Sequence, residues 1–176
     1  MRVLGIDPGL RLTGYACLED GTPSERALLA GGTCAIIEAG VFRLSRVGRS
    51  LSDRLAELDR DIREAIDRLR PEVVAVEALF AHYKHPATAI LMGHGRGVVL
   101  LAIKSAGLEL VELKPAEVKK SMTGYGQATK SQMQQAVQGA FGLESAPEPA
   151  DVADAIAIAW CARQRAALAA SFGGRS

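Results

Sequence analysis

The spacing of the apolar residues changes at Ser50, and that change constrains the fold more than any other feature of the chain. Before it, Arg2 to Ile6, Leu12 to Leu18 and about Ala35 to Leu44 are β-type runs. After it, Leu51, Leu55, Leu58, Ile62, Ile66 and Leu69 recur at steps of four and three, which predicts an amphipathic helix capped by Ser50 and stopped before Pro71. Asp7-Pro8-Gly9 is a turn signal, so the first two runs read as a hairpin with Asp7 where the first strand ends. The stretch from Glu19 to Thr33, rich in Gly, Ser, Thr and Pro, reads as a long loop before a third antiparallel strand.

From Glu72 onward strands and helices alternate. Glu72 to Ala78 is an apolar run with Glu77 near its end, Phe80 to Pro86 reads as a loop, and a helix follows from about Ala87 to Ser105. Leu108 to Leu113 reads as a fifth strand, Pro115 opens a short helix, and a glycine-bearing loop at 123–128 precedes a helix from about Thr129 to Phe141. A Pro-containing linker at 143–149 leads into a last helix from about Ala150 to Ala170. This order predicts an α/β domain over residues 1–170, a mixed five-stranded sheet with helices on both faces, and a short tail at 171–176. A length of 176 residues suits one core.

With 48% hydrophobic and 23% charged residues the chain lies in the soluble globular range, away from disorder. Apolar stretches such as Val98 to Ile103 fall short of the roughly 20 residues of a membrane span, so a cytoplasmic protein without membrane attachment is expected. Cys17, Cys34 and Cys161 lack C-x-x-C spacing and read as small buried residues. The net charge of +1 argues nothing about nucleic acid, but its distribution does. From Ala81 to Lys130 seven Lys or Arg stand against three acids, whereas Arg46 to Glu72 carries seven of each.

Four acids share an unusual setting. Asp7 and Glu77 end apolar strands, and Asp151 and Asp154 open a helix three residues apart, on one face. A carboxylate among apolar neighbours is costly unless a cation balances it. Hard oxygen donors without cysteine favour Mg2+ or Mn2+, and several of them can hold two ions for phosphoryl displacement. Taken singly, Asp7 reads equally well as a turn former and Asp151 as a helix-capping residue.

The strings LGIDPGLRLTGYA from Leu4, VAVEALF from Val74, PATAILMGHGRGVVL from Pro86, VKKSMTGYGQATKSQ from Val118 and PADVADAIAIA from Pro149 resemble the successive motifs of the RuvC family of Holliday-junction resolvases. The resemblance spans about residues 2–160. It implies a ribonuclease-H-like fold and a homodimer on a four-way DNA junction. It also implies paired symmetric nicks leaving 5′-phosphate and 3′-hydroxyl ends, in recombination and repair alongside the RuvA and RuvB branch-migration proteins. The family's catalytic, metal-holding acids fall on Asp7, Glu77, Asp151 and Asp154, its phosphate-facing lysines on Lys119 and Lys130, and its junction-stacking aromatic on Phe80.

Lys119 and Lys130 belong to the basic stretch, and Lys84, with His82 and His85, could also reach phosphate. Phe80 could stack on an unpaired base or tuck onto the core. Gly93, Gly95 and Gly97 fall inside a predicted helix and read as close packing at a dimer contact, not as a phosphate loop. Two features depart from the family pattern: the long 19–33 loop, and Ala162 where a histidine is expected. GIDPG also resembles the first phosphate loop of sugar-kinase and actin-like ATPases, which need a second such domain that 176 residues do not supply.

Overall fold

A computed structural model describes residues 1–9, 11–21, 34–44, 48–78 and 86–173. Strands β1 (Arg2–Asp7), β2 (Leu12–Asp20), β3 (Cys34–Arg43), β4 (Val73–Glu77) and β5 (Glu109–Leu113) form one sheet in the order β3-β2-β1-β4-β5. The first three pair antiparallel, while β4 and β5 join β1 in parallel. Helices α1 (Leu51–Leu69), α2 (Pro86–Ser105), α3 (Pro115–Thr123), α4 (Lys130–Phe141) and α5 (Ala150–Gly173) cover it. This is the ribonuclease-H-like arrangement, with a mixed five-stranded sheet between helical layers.

Local chemistry sets the boundaries. Ser50 caps α1 through a reciprocal pair of bonds with Asp53, and Thr129 does the same for α4 with Gln132. Gly124 and Gly142 close α3 and α4 in the left-handed region. Two expected boundaries move by more than one residue. Glu19 and Asp20, expected in a loop, extend β2 because the ladder to β3 continues through Ala35 and Cys34; residues 22–33 lie outside the described residues. Helix α5 runs to Gly173, past the expected end at Ala170.

Alternation along the strands divides the core in two. Leu4, Ile6, Val74 and Val76 pack with Leu58, Ile62, Val99 and Ile103 of α1 and α2. Val3, Ala75 and Leu113 pack on the other face with Val118, Val137 and Ile156 of α3, α4 and α5. The two-residue period puts Asp7 on the face of Val3 and Glu77 on that of Ala75, so both acids belong to the face that α5 covers.

Helix α5 lies unusually close to that face because two strand positions have no side chain. A Cβ on Gly5 would stand 2.3 Å from the Ala155 carbonyl oxygen, and one on Gly14 would stand 2.1 Å from that of Asp151. Gly14 pairs with Asp7 across the hairpin, so this contact sets the first turn of α5 beside the end of β1. Replacing Gly5 with alanine is expected to destabilise the fold by at least about 2 kcal/mol, since backbone cannot yield as a side chain does. Gly139, with open space around it on α4, should instead gain about 0.5–1 kcal/mol on replacement by alanine. Urea unfolding that shows no difference between the two variants would contradict this account of the packing.

Candidate active site

The site forms where β1 and β4 end. Past Asp7 the chain turns at Gly9, whose N–H donates to Thr13 Oγ1 at 3.2 Å and whose carbonyl accepts from the same hydroxyl at 2.6 Å. Thr13 is fully buried, so the turn that carries Asp7 is locked from inside. Glu77 is the last residue of β4, paired in register with Leu113, and the following Ala78 N–H donates to the Leu113 carbonyl at 2.8 Å. Asp151 and Asp154 occupy the first turns of α5, where the Gly5 and Gly14 contacts press the helix onto the sheet.

Asp7, Glu77 and Asp154 line one cleft of about 280 Å³, together with Lys119 of α3, Lys130 at the start of α4, and Met133. Asp151 does not line it, though it stands close enough for its charge to act on Asp7 and Asp154. Larger clefts, of about 850 Å³ against the edge of β3 and about 420 Å³ against β5, contain none of these four acids. Lys119 and Lys130, eleven residues apart, thus meet in space at the acids. Phe80, His82, Lys84 and His85 lie outside the described residues.

Asp7, Glu77 and Asp154 hold their protons more tightly than ordinary carboxylates. Burial pushes Asp7 up to about 7, and the charges of Asp154, Glu77 and Asp151 add to the shift while Lys130 opposes it. Glu77 is raised by burial and by Asp154, against Lys119. Asp154 is raised by burial, with Lys130 the main opposing charge. Among the described residues two lysines only partly balance this group of carboxylates, a setting that suits a bound metal ion. Among the described residues no three acids stand close enough to ligate one ion together.

Ala162 is buried eight residues beyond Asp154, about 12 Å along the helix, in the apolar layer at the far end of the site's face. A side chain there does not touch the cleft. Thr13 escaped sequence reasoning because a threonine inside a β-run is unremarkable without its turn partner. Arg96 escaped it too: the guanidinium donates from Nε to the Glu77 carbonyl at 3.4 Å, across 19 residues of sequence.

A ribonuclease-H-like sheet with carboxylates at its central strand ends, faced by lysines, defines a nuclease of the phosphodiester-cleaving class. Residues 3–162 match the family described as crossover junction endodeoxyribonuclease RuvC. The chain is 46% identical over 159 residues to that enzyme of Rhodopirellula baltica, covering 90% of this chain and 84% of the relative. The Thermus thermophilus RuvC structure superimposes with a TM-score of 0.80 at 30% identity, covering 96% of this chain and 97% of that one. The T. thermophilus RuvC structure in complex with Holliday junction substrate gives the same TM-score of 0.80 at 27% identity, over 96% of each chain. The chain belongs to the RuvC family of crossover junction endodeoxyribonucleases.

The raised pKa of Asp7 makes a stability prediction with a definite sign. Between the ordinary aspartate value of 3.8 and about 7 the folded protein binds more protons than the unfolded chain, so stability falls as pH rises through that window. At pH 8 without metal, Asp7→Asn is therefore expected to melt about 3–6 °C above wild type, the effect of relieving 1–2 kcal/mol in a domain of this size. The gain should fade towards pH 4. A variant that melts below wild type at pH 8 would mean that Asp7 carries no such cost.

Proposed function

We propose that this protein resolves four-way DNA junctions by metal-dependent hydrolysis of phosphodiester bonds, with Asp7, Glu77, Asp151 and Asp154 as its acids. The observation that carries the reading is the single cleft in which Asp7, Glu77 and Asp154 face Lys119 and Lys130. The four acids would hold two Mg2+ or Mn2+ ions, which when bound supply charge stabilisation for the attacking and leaving oxygens. Lys119 and Lys130 hold backbone phosphates at the mouth of the cleft and fix the scissile strand against the carboxylates. The products are 5′-phosphate and 3′-hydroxyl ends. By the family resemblance Phe80 stacks on a base near the junction centre, and Lys84, as part of the basic stretch, adds a phosphate contact.

A four-way junction presents two equivalent strands, so paired nicks require two sites related by a two-fold axis. Helix α2 offers the surface for a second copy. Ile90 and Leu101 are 63% and 62% exposed on it, Leu91 is exposed beside them, and Cβ atoms on Gly93 and Gly97 would meet nothing. Over Ala87–Ser105 this helix is long and apolar enough to cross a membrane by length and composition, yet little of it is buried in the single chain. A partner helix covering that stripe accounts for its apolarity. The cellular setting is cytoplasmic recombination and repair, with RuvA and RuvB as partners in branch migration.

Cleavage of a four-way junction, compared with duplex DNA, tests the assignment. Asp154→Asn and Glu77→Gln should each lose at least about a hundredfold in rate while junction binding persists, since charge stabilisation at such sites is worth several kcal/mol. Lys119→Ala should reduce the slope of log affinity against log salt by about 0.9, the share of one phosphate contact on duplex DNA. Full activity in both acid variants would refute the site.

Sedimentation tests the dimer. Leu91→Glu should give a folded monomer that no longer makes paired nicks, whereas a variant that stays dimeric would place the interface elsewhere.

A further inference from the structure

Among the described residues Arg96 is the sole buried basic side chain, on a helix whose inward face is otherwise apolar, with Val99, Ala102 and Ile103 in the core. A buried guanidinium is costly unless its donors are matched. Two partners match it here. Nη2 pairs with the Glu112 carboxylate on β5, and Nε donates to the backbone carbonyl of Glu77 at 3.4 Å.

The geometry of these contacts is specific. Glu112 is aligned with Val76 in the parallel ladder and shares its face, the one covered by α1 and α2. The Glu77 carboxylate belongs to the opposite face. Arg96 therefore grips the end of β4 from behind, while the Ala78 N–H is held laterally by Leu113.

We propose that Arg96 is a positioning residue for Glu77, and that the Glu112 carboxylate holds the guanidinium in place for that task. The proposal rests on Glu77 being one of the acids of the site. Arg96 does not line the cleft of the acids. It restricts where the last residue of β4 can stand, and with it where the Glu77 carboxylate stands relative to Asp7 and Asp154. A misplacement of about 1 Å in such a group can cost on the order of a hundredfold in rate.

Arg96→Gln, Arg96→Lys and Glu112→Gln are compared with Glu77→Gln and with the Arg96→Gln/Glu77→Gln double variant, on a four-way junction under single-turnover conditions with Mg2+ varied. Arg96→Gln should cut the saturated rate at least tenfold and raise the Mg2+ concentration needed for half-maximal rate, with junction affinity in EDTA within twofold of wild type. Arg96→Lys should recover part of the rate. In the Glu77→Gln background, Arg96→Gln should slow the residual rate by less than twofold, because the group it positions is gone. In metal-free protein, amide exchange of Ala78 should quicken at least tenfold in Arg96→Gln while exchange in β2 is unchanged.

Arg96→Gln with a wild-type rate and Mg2+ dependence, or with an equal loss in both backgrounds, overturns the proposal. Should Arg96→Gln fail to fold, Glu112→Gln decides it, since that half-exposed side chain can be changed without disturbing the core. An unchanged Mg2+ dependence and unchanged Ala78 exchange in that variant overturn the proposal equally. Glu77→Gln that cleaves like wild type would instead refute the role of Glu77 in the site.

Discussion

Everything at the site depends on the contact between the backbone of α5 and the backbones of β1 and β2. A helix normally stands off a sheet by the thickness of two side-chain layers. At Gly5 and Gly14 one of those layers is missing, and the peptide groups of Ala155, Ala159 and Asp151 occupy the space. The alanines that line α5 from Ala153 to Ala159 complete the close fit. Because the helix starts directly above the Asp7–Gly14 pair, bringing it down onto the sheet also brings Asp154 down to Asp7. The site is thus a by-product of packing, and its dimensions are set by two absent side chains.

That closeness has an electrostatic consequence. Carboxylates half-withdrawn from water and facing one another resist ionisation, as the elevated proton affinities of Asp7, Glu77 and Asp154 record. Lys130 and Lys119 offset part of the repulsion from the helices that overhang the cleft. The described residues do not neutralise the site with a full set of ion pairs, in contrast to α1. There Arg63 and Asp59, four residues apart, pair on the exposed surface.

Much of this was legible in the sequence because the periods of apolar residues report burial directly. The change of period at Ser50, its role as a cap, Pro115 and the glycine-bearing loop at 123–128 placed the elements to within a few residues. The acids were legible for a related reason, since a carboxylate ending an apolar run contradicts its surroundings. What was not legible depends on contacts between distant segments. The hold of Thr13 on Gly9, the reach of Arg96 to Glu77, and the recess of Asp151 from the cleft follow from how α2 and α5 seat on the sheet. The outward stripe of α2 was only partly legible. Val99 and Ile103 are buried and Ile90 and Leu101 exposed, because the rotation of a helix about its axis is decided by its neighbours.

The alternation of side chains along β1 and β4 has a further effect, on strand alignment during folding. Asp7 follows Ile6 and Glu77 follows Val76, and the members of each pair belong to opposite faces of the sheet. A slip of one residue in either strand would turn its carboxylate into the layer formed by Leu58, Ile62 and Val99, and would lift a core aliphatic onto the other face. A carboxyl group without partners in that layer is costly enough to disfavour the slipped pairing outright. The acids thus act as register markers: each disfavours a one-residue slip of its strand, and in the native alignment both stand at the cleft.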